Sequence, residues 1–186
     1  MIEDGPPGPR GRQDEWLVVR CQLGERPAFD ALIGRWHGPL WSFLRRLAGD
    51  DDAADDLAQD VWLRVLRGIG RLRDGAKLRP WLFGIARRAA MDRLRVRYAA
   101  PVSDVDVTTL PAAEPAMPED DLLMLRDELA RLPLVEREAL TLFYLQELSL
   151  GEVAEVLEVP LGTVKSRLFR ARQLLRRELE SKGMRE

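Results

Sequence analysis

The sequence predicts an all-α protein, two small helical domains joined by an acidic linker. Three observations carry that prediction. Apolar residues recur at helical rather than alternating spacing on both sides of the middle of the chain, and no run of β-branched residues is bounded by hairpin turns. The middle itself, Ala99 to Asp121, holds Pro101, Pro111, Pro115 and Pro118 with six acidic and no basic residues, a composition that cannot bury enough surface to fold. With 46% hydrophobic and 32% charged residues, the 186-residue chain has material for a packed core on each side of that segment. The expected division is a disordered tail over 1–13, a four-helix domain over 14–98, a flexible acidic linker over 99–119, a second helical domain over 120–181 and a short tail over 182–186.

In the first domain, Trp16, Val19 and Leu23 predict a short helix. Phe29, Leu32, Ile33, Trp36, Leu40, Phe43, Leu44 and Leu47 trace one face of a longer one. Gly38-Pro39 is expected to kink it, because proline has no amide hydrogen and its ring crowds the preceding turn. A third helix starts at Asp50 to Asp52, whose carboxylates cap and complement its positive end, and runs through Leu57, Val61 and Val65 to Gly68. A glycine-rich basic loop follows. Pro80, suited to a first helical turn, opens a fourth helix that reaches about Tyr98.

The second domain is expected to hold a helix from about Asp120 to Leu132, another from Pro133 to about Gln146, and then two helices separated by a very short turn. Ser149-Leu150-Gly151-Glu152 fits a capping box, with Val153, Ala154 and Leu157 as the buried side of a short helix. Glu158-Val159-Pro160 ends that helix, and a longer basic one runs from about Leu161 to Leu179. This spacing is that of a helix-turn-helix.

Composition narrows the function. The longest apolar runs, such as Trp81 to Ala86, are far too short to cross a bilayer, and Met1 to Gln13 lacks the hydrophobic stretch of an export signal, so the cytoplasm is the expected compartment. One cysteine (Cys21) and one histidine (His37) exclude an internal disulfide and a Cys/His zinc site, and leave little for His-dependent catalysis. Cys21 reads as a small core residue and His37 as a helix-surface or partly packed one. The net charge of −2 hides segregation: Arg71 to Arg97 carries nine basic against two acidic residues, and Thr163 to Glu186 eight against three. Two basic patches therefore bracket an acidic bridge, the pattern expected of a nucleic-acid partner.

On the last helix, a 100° wheel puts Val164, Leu168, Ala171, Leu175 and Leu179 on the packing face and Lys165, Ser166, Phe169, Arg170, Arg176 and Arg177 opposite. Phe169 discriminates, because an aromatic ring on a basic, solvent-facing surface suits contact with a thymine methyl. On the fourth helix Arg87, Arg88 and Arg95 share an arc opposite Leu82, Ile85, Ala89 and Val96. The loop before it, with Arg73, Lys77 and Arg79 among glycines, is suited to clasping an unpaired strand. Asp51-Asp52-x-x-Asp55-Asp56 imitates the aspartate-rich magnesium motif of prenyl-diphosphate enzymes, but the chain supplies neither the large cavity nor the second metal motif that such an enzyme needs. Helix-start electrostatics or a protein-binding face is the expected role. Asp56, Gln59, Asp60, Leu63, Arg64 and Arg67 make a mixed ridge suited to a protein partner.

Gly24-Glu25-x-x-Ala28-Phe29, Asp55-Asp56-Leu57-Ala58-Gln59-Asp60-Val61-Trp62-Leu63-Arg64, Trp81-Leu82-Phe83-Gly84-Ile85-Ala86-Arg87, Asp92-Arg93-Leu94-Arg95 and Pro160-Leu161-Gly162-Thr163-Val164-Lys165-Ser166-Arg167-Leu168 occur in the order seen in extracytoplasmic-function (ECF) sigma factors, group 4 of the sigma-70 family, which the chain resembles over nearly its whole length. It departs from the pattern at Arg88, where many members have asparagine, at Leu150, where an aromatic is common, and at Glu158, where glycine is common.

The resemblance implies a region 2 domain, a region 4 helix-turn-helix domain and a bacterial alternative sigma factor. Such a protein binds core RNA polymerase, recognises the −35 and −10 promoter elements and promotes promoter melting and transcription initiation. It implies that Asp56, Gln59, Asp60, Leu63 and Arg64 dock on the coiled coil of the polymerase largest subunit, with the flap as a second polymerase contact. Arg73, Lys77, Arg79, Arg87, Arg88 and Arg95 would serve the −10 element, and Thr163, Lys165, Ser166, Arg167, Phe169, Arg170 and Arg176 the −35 element. It implies an anti-sigma partner, and no cofactor, metal, catalytic residue or membrane insertion. The alternative is a free-standing helix-turn-helix regulator, against which the Asp56 to Arg64 ridge and the second basic helix both argue.

Overall fold

The computed structural model describes residues 9–99 and 129–181, and every regular element among them is helical. α1 spans Pro9–Gln22, α2 Arg26–Ala48 and α3 Asp51–Gly68; two single 3-10 turns, Ile69–Arg71 and Gly75–Lys77, lead into α4, Leu78–Ala99. The chain is helical again at 129–131 and forms α5, Leu134–Leu140, a π turn at Thr141–Leu145, α6, Leu150–Leu157, and α7, Leu161–Ser181. The linker beyond Ala99, most of the helix expected from Asp120, and both chain ends lie outside the described residues.

α1 differs from expectation in extent and in rotation. It already includes residues 9–13, within the stretch read as tail. Its buried side is Asp14, Val18 and Cys21, whereas Trp16, Val19 and Leu23 are 63%, 44% and 73% exposed. An ion pair sets this rotation: the buried Asp14 carboxylate meets Arg35 of α2 at 3.0 Å. Burial raises the Asp14 pKa, and Arg35 opposes that shift.

α2 buries Ala28, Leu32, Trp36, Leu40, Phe43, Leu44 and Leu47 at three-to-four spacing and continues through Pro39 as one helix. Pro39 supplies no amide hydrogen to the Arg35 carbonyl four residues before it. The helix ends at Gly49, whose φ of 93° is one that a side chain would resist. Asp50 then caps α3, accepting from the Ala53 amide at 2.6 Å. The core closes on Phe83 of α4, which stands edge-on to Phe43 at 5.5 Å and to Trp36 at 6.4 Å between ring centroids.

In the second domain the helix expected from Pro133 to Gln146 changes pitch after Leu140. The Gln146 amide donates to the Thr141 carbonyl and the Leu148 amide to Leu142, both at 3.0 Å, so the chain turns without a glycine. Glu147 takes the positive φ instead, at 52°. The capping box forms as read: the Ser149 amide donates to Glu152 at 2.7 Å and the Glu152 amide to Ser149 Oγ at 3.2 Å. Val153, Val156 and Leu157 are buried and Ala154 partly so. Glu158 ends α6 with φ 55°, the left-handed region that favours glycine. The two domains lie against each other, with α4 packed on α6, and their buried apolar side chains form one continuous cluster.

Candidate nucleic-acid interface

α7 is held by its apolar stripe. Val164, Leu168 and Ala171 are buried and Leu175 packs against them, which leaves Lys165, Ser166, Phe169, Arg170 and Arg176 on the outside. Phe169 is 54% exposed on this cationic face. Thr163 and Ser166 stand in the first turns, where Ser166 Oγ donates back to the Thr163 carbonyl at 2.9 Å. Arg170 extends outward from the side of Glu136, 4.0 Å away. Arg167 differs from its expected neighbours: it is half-buried, with Nη1 enclosed and without a hydrogen-bond partner, and its charge bears on the buried Glu138. The 100° spacing itself puts Arg167 about 60° from Val164, at the edge of the packing face; it is the family resemblance that places it among the −35 residues.

The cations assigned to the fourth helix and its loop are mostly engaged with the second domain. Arg87 Nε donates to Glu138 at 2.9 Å, and Arg88 Nη1 to Glu158 at 3.3 Å. Arg79 Nη2 donates to the Gln146 and Glu147 carbonyls at 2.7 and 3.0 Å, and its guanidinium lies 5.9 Å from the centre of the Trp36 ring. Lys77 pairs with Glu155. Arg73 is exposed, and Arg95, well exposed, stands 3.8 Å from Asp92. The loop is ordered where the sequence suggested freedom. Gln22 donates to the Ile69 and Leu72 carbonyls at 2.9 and 2.8 Å, and Asp74 accepts from the Ala76 amide at 3.0 Å. At Gly75 a Cβ would come within 2.8 Å of the Glu15 Cα, so α1 presses directly on the turn.

Along α3, Asp56, Gln59 and Leu63 are exposed, while Asp60 and Arg64 are half-buried. Arg64 bridges Asp60 at 2.8 Å and Asp92 of α4 at 3.3 Å, tying the ridge to the adjacent helix. The bond to Asp60 raises the Arg64 pKa. Leu66, not singled out by the sequence, is 56% exposed beside Leu63 at 50% and extends the ridge with apolar surface. The acidic run disperses its carboxylates: Asp50 caps, Asp51 meets Arg45, Asp55 accepts from Trp41 at 2.6 Å, and Asp56 faces Arg93 at 3.3 Å. Among the described residues no group of three His, Cys, Asp or Glu is placed to hold a metal ion. His37 is exposed and accepts from Trp62 Nε1 at 3.1 Å, and Cys21 is buried.

A helix-turn-helix with an exposed aromatic among cations, beside a helical domain carrying its own cationic helix, defines a two-domain DNA-binding protein. Comparison with known proteins gives the particular family. Residues 32–99 match the model of sigma-70 region 2, and residues 122–175 that of sigma-70 region 4. The chain is 33% identical over 183 residues to the RNA polymerase sigma-H factor of Pseudomonas aeruginosa, covering 90% of this chain and 94% of that one. It is 35% identical over 172 residues to the ECF RNA polymerase sigma factor SigM of Mycobacterium tuberculosis, covering 92% and 87%. Among solved structures, CnrH in complex with the cytosolic domain of CnrY superposes with a TM-score of 0.70 at 25% identity, over 90% of this chain and 97% of that one. RpoE in complex with the anti-sigma factor NepR, from Bartonella quintana, gives 0.72 at 27%, over 82% and 96%.

The chain belongs to the ECF sigma factors of the sigma-70 family: it binds core RNA polymerase, recognises promoter elements and promotes transcription initiation. Among the described residues no helix is long and apolar enough to cross a membrane.

Proposed function

We propose that α7 reads the −35 element through Phe169, Lys165 and Arg170, with Thr163 and Ser166 reaching phosphates near the helix start and Arg176 contacting phosphate further along. Arg167 supports this helix from behind, against Glu138. The loop and α4 take the −10 element, with Arg73, Lys77 and Arg79 on the backbone and Arg87, Arg88 and Arg95 on the unpaired strand. The α3 ridge of Asp56, Gln59, Asp60, Leu63 and Arg64 docks on the polymerase. On this reading residues 14–98 and 120–181 are the working domains, the acidic segment between them spans the polymerase, and the chain acts in the cytoplasm without catalytic chemistry of its own. The two solved neighbours were each captured with a protein partner, one of them an anti-sigma factor by name, which supports an anti-sigma partner here as well.

The carrying observation is Phe169, a large ring 54% exposed on the cationic face of the second helix of a capped helix-turn-helix. A base contact is worth about 1 to 3 kcal/mol of discrimination, whereas a phosphate contact weakens all sequences alike. Binding of each holoenzyme variant to a randomised −35 library at fixed salt separates the two. Phe169→Ala should relax base preference, and Arg176→Ala should weaken binding uniformly; unchanged preference in Phe169→Ala would refute the assignment. For docking, Leu63→Glu is cleaner than any change at Asp60, because Asp60 is paired with Arg64 while Leu63 is half exposed. It should weaken holoenzyme formation with helicity intact.

A further inference from the structure

The apolar periodicity that marks α1 in the sequence, Trp16, Val19 and Leu23, turns to solvent, the three residues being 63%, 44% and 73% exposed. At about 100° per residue their directions average about 170° from those of the buried Asp14, Val18 and Cys21, so the helix carries one packed face inward and an apolar one outward. Leu23 lies just past the last helical residue, but its amide donates to the Val19 carbonyl at 3.0 Å and keeps it on the helical course. Glu15 and Gln22, which meet the loop at Gly75 and at the Ile69 and Leu72 carbonyls, fall on the flank between the two faces. Arg12 is exposed in line with the stripe, and Arg20, at its other border, is paired with Glu25 at 2.8 Å.

From this geometry we infer that the outward face of α1 is a second docking surface for core RNA polymerase, on which Trp16, Val19 and Leu23 seat an apolar, acid-rimmed patch of that enzyme. Spacing of i, i+3 and i+7 is that by which a helix anchors in a protein groove. The aliphatic Val19 and Leu23 give no platform for stacked bases, and one aligned cation is too few to track a strand, so protein fits this face better than nucleic acid. Arg12 is the charge complement of an acidic rim. Three side chains fall well short of the roughly 800 Å² per partner that a stable pair buries, which argues against a second copy and for a surface that extends a larger interface. The α3 ridge, assigned above to the polymerase, supplies that interface. α3 runs directly into the Ile69–Arg71 turn, and the end of α1 is bonded to the same turn through Gln22, so ridge and stripe approach it from two sides. Leu66, 56% exposed, stands one turn before Ile69, and Leu23 directly follows Gln22. This second footing rests on the assignment of the ridge.

The test is fluorescence titration of the full chain with core RNA polymerase at fixed salt, with urea midpoints taken in parallel. Trp16→Glu and Leu23→Glu should each weaken holoenzyme formation about tenfold, as loss of an anchoring side chain implies, at the parental urea midpoint. Trp16→Gln with Leu23→Gln, which adds no charge, should act in the same direction and serves if a glutamate disturbs the helix. Arg12→Glu should weaken binding more at low salt than at high salt. Parental affinity in the stripe variants, while Leu63→Glu binds less tightly, overturns the second footing and leaves the ridge in place. Weakening in the stripe variants with Leu63→Glu at parental affinity supports the α1 face and removes the ridge. Parental affinity in all of them removes both. A dimer in sedimentation that Leu23→Glu dissociates, with polymerase affinity unchanged, assigns the face to a second copy and overturns the inference. Loss of single-stranded oligonucleotide binding in the stripe variants at parental polymerase affinity overturns it likewise.

Discussion

Glu138 is a carboxylate almost wholly inside the protein, 1% exposed, with Arg87 at 2.9 Å and Arg137 and Arg167 close enough to bear on it. Desolvation is the largest influence and raises its pKa; the three guanidinium groups pull it back without cancelling the shift. The folded chain therefore holds this proton more tightly than the unfolded chain does. The contribution of Glu138 to stability is fully present below the ordinary Glu range and is lost as pH rises through the raised value. Glu138→Gln keeps an oxygen for Arg87 and removes the titration. Its stability relative to the parent, read from urea midpoints, should improve between about pH 4 and pH 7. A difference that stays constant across that range would contradict the burial argument.

At the scale of the element, α6 concentrates two testable local terms. Ser149→Ala removes half of the capping box and should destabilise the second domain by about 1 kcal/mol. Glu158→Gly should stabilise it by about 1 kcal/mol through relief of the left-handed backbone, measured by thermal unfolding at high salt, where the pair with Arg88 is screened. A loss of stability at high salt would show that the side chain contributes more than its backbone costs. These elements were legible because their signals are local: Asp50 before Ala53, Ser149 before Glu152, and apolar residues at three-to-four spacing each act within a turn. Features that depend on distant partners were not. The rotation of α1 follows from Asp14 meeting Arg35 on another helix, and no residue type marks the change of pitch at Thr141. The cationic face of α4 was visible as charge, but its acidic partners stand 51 to 78 positions further along the chain.

For the whole molecule, the shared apolar cluster and the pairs between α4 and the second domain should couple two units that each have their own helices. Calorimetry of the full chain should show overlapping transitions at low ionic strength, and these should separate near 1 M salt, where the screening length is about 3 Å. Transitions already separate at low salt would mean that the domains unfold independently. The segregation of charge read from the sequence has its counterpart here: basic residues of one domain meet acidic residues of the other, which a net charge of −2 conceals.

The absence of a side chain at Gly75 has a consequence for timing. With the Glu15 backbone pressed on that turn and Gln22 holding two of its carbonyls, the loop loses its conformational freedom when the chain folds, before any nucleic acid arrives. On the assignment proposed above, a strand that lands on Arg73, Lys77 and Arg79 would meet charges already fixed in place. Little further ordering would then oppose the encounter, so its entropic cost would fall on the strand alone.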